Sequence, residues 1–145
     1  MMRILLATAV FMMATPVFAA KAHREAAKEF PAKIKEAQTM IKAACGCAPA
    51  ISHDKGSFDK VPADKVSDFA SNLGYEFKYI GEQSKAFCND ADSKKLYCGN
   101  TKKVVVKCGE DVDAKYNERD KSFTITTTKQ MNSGGYKFKE IMDSW

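Results

Sequence analysis

Across residues 20–44 the apolar side chains Phe30, Ile34, Ala37, Ile41 and Ala44 recur at spacings of four and three in a background of Ala, Lys, Glu and Gln. This pattern predicts a long helix with one buried face. Pro31 has no N–H to give the Ala27 carbonyl, so the helix is expected to kink there or to restart with Pro31 in its first turn. Gly46 supplies a left-handed stop. Residues 47–62, with Pro49, Ser52, Asp54, Gly56, Ser57 and Pro62, read as a loop. A shorter helix follows, with Val66, Phe69, Ala70 and Leu73 on one face and Gly74 as its stop.

After Gly74 the period changes to two. Tyr75, Phe77 and Tyr79 alternate with Glu76, Lys78 and Ile80; Val104, Val106 and Cys108 alternate with Lys103, Val105 and Lys107. Phe123 and Ile125 stand among threonines, and Tyr136 and Phe138 alternate with lysines. These segments read as strands punctuated by Gly81, Gly99-Asn100, Gly109 and Gly134-Gly135. Turns this close together leave little room for parallel crossovers, so an antiparallel sheet is expected. The fold class is therefore α+β: a long N-terminal helix packed on a small antiparallel β-sheet and stabilised by disulfides.

Composition adds a compartment. The first nineteen residues hold fifteen apolar side chains and one charge, Arg3; the apolar run from Ile4 to Met13 is too short to span a bilayer. Met1-Met2-Arg3 ahead of it, Pro16 behind it and Val17-Phe18-Ala19 before Ala20 read as a Sec signal peptide over residues 1–19. A single exported domain over residues 20–145 follows, periplasmic or secreted, with no membrane span after signal cleavage. Without the leader about 40% of the chain is apolar, ordinary for a globular domain. The chain carries 23 Lys and Arg against 18 Asp and Glu, a formal charge of +5, and loss of Arg3 leaves +4. The lysines come as singlets and doublets among acids, with no arginine–aromatic stripe, so no nucleic-acid partner is expected.

Five cysteines, Cys45, Cys47, Cys88, Cys98 and Cys108, in a small exported chain predict two disulfides and one leftover thiol. Fifteen arrangements are open. The favoured one closes Cys88 on Cys98 around the Asn89–Asp92 turn and joins Cys45 or Cys47 to Cys108. The odd cysteine could also link two chains into a disulfide-bonded dimer.

Cys45-Gly46-Cys47 is the sharpest candidate for chemistry, because two thiols one residue apart can exchange disulfides or chelate a soft metal. A metal set would recruit His53 and Asp54 to Cys45 and Cys47. Against activation, Cys45 sits at the C-terminal end of a helix, where the dipole disfavours a thiolate. His23 and His53 are expected to be exposed and solvated. Asn89-Asp90-Ala91-Asp92-Ser93 lacks the turn glycine and distal Glu of a calcium loop and reads as an acidic turn.

Hydrolytic chemistry finds no support. There is no G-x-S-x-G, no Gly-rich phosphate loop and no dinucleotide fingerprint, and Glu110-Asp111 and Glu118 with Asp120 fall in turns where carboxylates are solvated. No cofactor is implied, and a catalytic role is less expected than a binding one.

The helix bearing Ala27-Lys28-Glu29-Phe30-Pro31, a loop, then Tyr75-Glu76-Phe77-Lys78-Tyr79 and a cysteine-bearing antiparallel set resembles the soluble head of type IV pilin-like proteins over residues 20–142. The chain departs from that family in lacking the prepilin leader and the hydrophobic assembly helix with an acidic fifth residue. The resemblance implies an exported, pilin-head-like domain that does not polymerise through a membrane helix, and no residue roles transfer with it.

The sequence thus leads to an exported, non-catalytic binding or envelope-associated structural protein, whose partner is a protein or envelope component. The alternative is a thiol-redox or metal-handling protein working through Cys45-Gly46-Cys47. Tyr75, Tyr79, Tyr136, Phe138 and Trp145 are the candidate contact surface, with Tyr136, Phe138 and Trp145 foremost.

Overall fold

The structure, a computed structural model, describes residues 16–129 and 134–145. Most of the expected signal peptide, residues 1–15, lies outside the described residues. The expected cut between Ala19 and Ala20 falls within the first helix, α1 (Pro16–Ala26). One 3-10 turn, Ala27–Glu29, separates it from α2 (Phe30–Cys45), which carries Pro31 in its first turn as the missing N–H requires. Phe30, Ala37, Ile41 and Cys45 form the buried stripe of α2, and Gly46 ends it at φ 85°.

The segment expected as loop contains β1 (Ala50–His53) and the short α3 (Lys55–Asp59). Asp54 caps α3 by accepting the Ser57 N–H at 3.2 Å. The helix expected to stop at Gly74 runs on as α4 (Val66–Phe87), so Tyr75–Ile80 is helix and not strand. Its buried residues Phe69, Leu73, Phe77, Ile80 and Ser84 recur at three and four, a helical period that coexists with the two-residue alternation of Tyr75, Phe77 and Tyr79.

The two glycines of α4 serve close approach to α2. A Cβ on Gly74 would lie 2.9 Å from Lys33 Cδ, and one on Gly81 would lie 3.2 Å from the Ala37 Cα. Lys33 beside Gly74, Ala37 beside Gly81 and Cys45 bonded to Cys88 fall in the same order along both helices. The two helices therefore lie side by side in parallel, with their C-terminal ends together.

Beyond α4 come α5 (Ala91–Asn100), β2 (Lys103–Cys108), β3 (Asp113–Asn117), β4 (Ser122–Thr127) and α6 (Gly135–Asp143). The acidic turn is the N-cap of α5, where Asp90 accepts the Ser93 N–H at 2.7 Å. The strand expected at Tyr136 and Phe138 is α6, which buries Phe138 and Met142 four residues apart.

The sheet has the order β1-β2-β4-β3 and is mixed, a correction to the antiparallel expectation: β1 and β4 each run parallel to β2, and only β3 is antiparallel. The return from β2 to its parallel neighbour β4 is made by β3 at the sheet edge, so a strand takes the place of the usual helix crossover. Val104, Val106, Phe123 and Ile125 are wholly buried, facing a core that continues through Phe30, Phe58, Phe77 and Phe138. Phe30 meets the rings of Phe58 and Phe77 edge-on at 5.4 and 5.8 Å, and Phe123 meets Phe138 at 4.7 Å.

Candidate functional site

The cysteines form two bridges, Cys45–Cys88 and Cys47–Cys98, and leave Cys108 free. The count agrees with the sequence; the favoured pairing does not. Cys88 closes α4 rather than flanking a hairpin, and the parallel packing of α2 and α4 brings it to Cys45. Cys98 lies within α5 and reaches Cys47 just past Gly46. Both sulfurs of the Cys45-Gly46-Cys47 motif are thus committed to long-range bridges that fasten the end of α2 to α4 and α5.

His53 and Asp54 are not gathered to those sulfurs as a ligand set. Among the described residues no three His, Cys, Asp or Glu side chains stand close enough to hold a metal ion. Asp54 is occupied as the α3 cap. His53 packs edge-on against Phe30 at 4.9 Å, and burial lowers its pKa below the usual imidazole value, which favours the neutral ring. His23, expected in solvent, is only 6% exposed; its Nε2 bonds the Val61 carbonyl at 2.8 Å and its ring meets Phe58 edge-on.

Cys108 ends β2, and its N–H donates to Ser57 Oγ at 3.0 Å. It lines an open cavity of about 560 Å³ with Ser57, Lys60, Phe69, Lys107 and Glu110 at the carboxyl ends of β1 and β2. Burial, with the nearby Asp54 carboxylate adding to it, pushes the thiol pKa up to about 12, against the opposing hydrogen bond from Ser57. A thiol held neutral in this way is a poor nucleophile at physiological pH.

The aromatic candidates separate into two groups. Phe138 is completely buried and forms core, which removes it from the contact surface. Trp145 is half-buried, its ring 5.9 Å from Phe87, 5.5 Å from Tyr116 and 5.8 Å from Phe123, so it ties the chain end onto the core edge. Tyr75, Tyr79 and Tyr136 instead form a row on the outer face. Tyr75 and Tyr79, one turn apart on α4, stack at 6.1 Å, and Tyr79 meets Tyr136 of α6 at 5.8 Å.

Tyr75 is 46% exposed and Tyr136 64%; with Leu96 they are the large apolar side chains left exposed among the described residues. Lys78–Glu82 and Lys139–Asp143 ion pairs flank the row. Desolvation, followed by the neighbouring phenols, raises the Tyr79 pKa and so favours its neutral hydroxyl. Sequence reading picked out these tyrosines but placed them on strands; the row exists because a helix brings residues four apart onto one face.

No helix among the described residues is long and apolar enough to cross a membrane. Comparison with protein-family models, with curated proteins and with solved structures finds no match to this chain.

Proposed function

We propose that this chain is an exported, non-catalytic binding protein of the periplasm or extracellular space, and that the row Tyr75–Tyr79–Tyr136 is its contact surface. The row itself carries the reading. Tyrosine offers a large contact area at low conformational cost together with a hydroxyl that can donate or accept, which is why it is enriched where proteins bind one another. Three such rings, Tyr79 in contact with each of the other two, form a coherent apolar patch with a polar edge across two helices.

Export is supported by the leader-like first nineteen residues and by two disulfides, which persist in oxidising compartments. The partner in this reading is a protein or envelope component. Tyr75–Tyr79, which contributed to the pilin-head likeness, is helical, so that likeness adds no residue role. Exchange between Cys45 and Cys47 themselves, and metal chelation by that pair, are disfavoured because each sulfur is bonded to a distant cysteine, and Cys45→Ser and Cys47→Ser are expected to act on stability.

A photo-crosslinking residue placed at position 136 in cells that export the protein tests the reading. A discrete adduct from position 136, absent from position 115 on β3, is the expected result. No adduct at 136, or the same adduct from both positions, overturns it.

A further inference from the structure

The two bridges spring from residues two apart, yet they occupy different environments. Cys45 and Cys88 are both buried, whereas Cys47 and Cys98 are both only partly buried. The left-handed turn at Gly46 separates them, so that Cys45 lies within the core while Cys47, past the end of α2, packs at its margin. A reductant must collide with a sulfur along the S–S axis, so accessibility alone ranks the bridges, with Cys47–Cys98 first. The exposed Lys102, whose ammonium donates to the Cys98 carbonyl at 2.8 Å, adds a positive charge beside this bridge, which favours an approaching thiolate.

The helix that this bridge secures is otherwise lightly held. Of the ten residues of α5, only Tyr97 is buried, its hydroxyl donating to Ser84 Oγ at 2.9 Å. Leu96, on the same helix, is exposed over a groove of about 740 Å³ that Phe87, Met142 and Trp145 also line. Local opening is easiest where little apolar surface is buried, so loss of one fastener changes α5 more than it changes α2 or α4.

We propose that Cys47–Cys98 is a site of thiol–disulfide exchange with a dithiol protein of the exported compartment, and that it works as a reducible clasp on α5 while Cys45–Cys88 stays closed. A thiolate of the partner attacks one sulfur of the bridge; the Cys47–Cys98 bond breaks, a mixed disulfide forms, and the other cysteine leaves as a thiolate and takes a proton. The partner's second thiol, deprotonated, then attacks the partner's own sulfur in the mixed disulfide; that mixed S–S bond breaks, and the bridge cysteine held there leaves as a thiolate and takes a proton. The partner departs with its own disulfide, and Cys47 and Cys98 are left as thiols, two electrons having passed to the bridge. This role is independent of the tyrosine row, and either can fail alone.

The test is graded reduction of the intact exported protein with dithiothreitol, and separately with a thioredoxin-type dithiol, followed by alkylation and mass mapping. A species with Cys47 and Cys98 alkylated and Cys45–Cys88 intact is expected to accumulate, with the first bridge opening about a hundredfold faster than the second. In that species, amide exchange in α5 rises about tenfold or more while α2 and α4 keep their protection. Reduction of Cys45–Cys88 first, opening of both bridges together, refusal of the thioredoxin-type dithiol, or unchanged exchange in α5 would each overturn the proposal. The wild-type chain serves throughout, so the result does not depend on a cysteine variant folding.

Discussion

The carboxylate of Glu76, in the middle of α4 and 1% exposed, accepts the backbone N–H of Gly134 at 2.8 Å, and its second oxygen accepts that of Gly135 at 3.2 Å. One side chain thereby satisfies two donors that the start of α6 cannot pair internally. One turn earlier, the Asn72 amide donates to the Thr128 carbonyl. Together Asn72 and Glu76 fasten both sides of the β4–α6 connection to α4, and so hold Tyr136 beside Tyr79.

Glu76→Ala leaves both buried N–H groups without this acceptor and is expected to cost about 3–5 kcal/mol, at about 1–3 kcal/mol for each orphaned donor plus the lost packing. Glu76→Gln keeps the shape and one acceptor oxygen, and its cost should be less than half of that. Urea unfolding of the two variants checks the ranking. Equal losses would contradict this ranking, because the shape and the single acceptor that Gln keeps would then contribute nothing to holding α6.

The bridges are expected to differ in stability as they differ in burial. Each closes a long loop, with sequence separations of 43 and 51, and loop entropy alone assigns each about 4 kcal/mol. Replacing Cys45 and Cys88 together by Ala also leaves a defect in the core, so this pair should lose more than Cys47 and Cys98 replaced together. Thermal unfolding of the two double variants gives the comparison.

Alkaline pH should weaken the fold in two stages. The Cys108 thiol is pushed from 9.0 up to about 12, mainly by burial, and the Tyr97 phenol from 10.0 up to about 12, also by burial. In both cases the folded chain keeps a proton that the unfolded chain releases. Their contribution is therefore intact below about pH 9 and falls as pH rises from there toward 12. Cys108→Ser should remove the part of the slope that starts near pH 9, and Tyr97→Phe the part that starts near pH 10. The same neutral thiol should resist alkylation at pH 8 in the folded chain and react once unfolded, leaving the protein free of intermolecular disulfides.

Much of the scaffold was legible in the periodicity. Phe30, Ala37 and Ile41 marked the buried face of α2, Pro31 and Gly46 marked its ends, and Val104, Val106, Phe123 and Ile125 marked the two central strands. The decisive misreading lay at residues 75–80, where aromatic side chains satisfy a period of two while Leu73, Phe77 and Ile80 satisfy a helix. Glycines at 74 and 81 reinforced the error, because the same residue that ends a helix also lets two helices touch, and only the partner helix distinguishes the cases.

The cysteine pairing failed for the same reason. Once residues 75–80 are helical, α4 runs alongside α2 and delivers Cys88 to Cys45, a contact that no local spacing encodes. The buried state of His23 was likewise hidden, since its acceptor, the Val61 carbonyl, lies 38 residues away. The parallel β2–β4 pair escaped prediction because β3, a short edge strand, carries the return between them, and the parallel β1–β2 pair because β1 lies in the segment that reads as loop.

The claim that the tyrosine row is a contact surface is tested most directly by the triple variant Tyr75→Ala/Tyr79→Ala/Tyr136→Ala. Complex formation in the exporting cells would be read by crosslinking from the neighbouring position 78 and compared with urea unfolding of the same variant. The row lies outside the core, so stability should fall by no more than about 1 kcal/mol per ring, while the crosslinked complex should drop at least tenfold. A variant that keeps the wild-type yield of the complex would contradict the account.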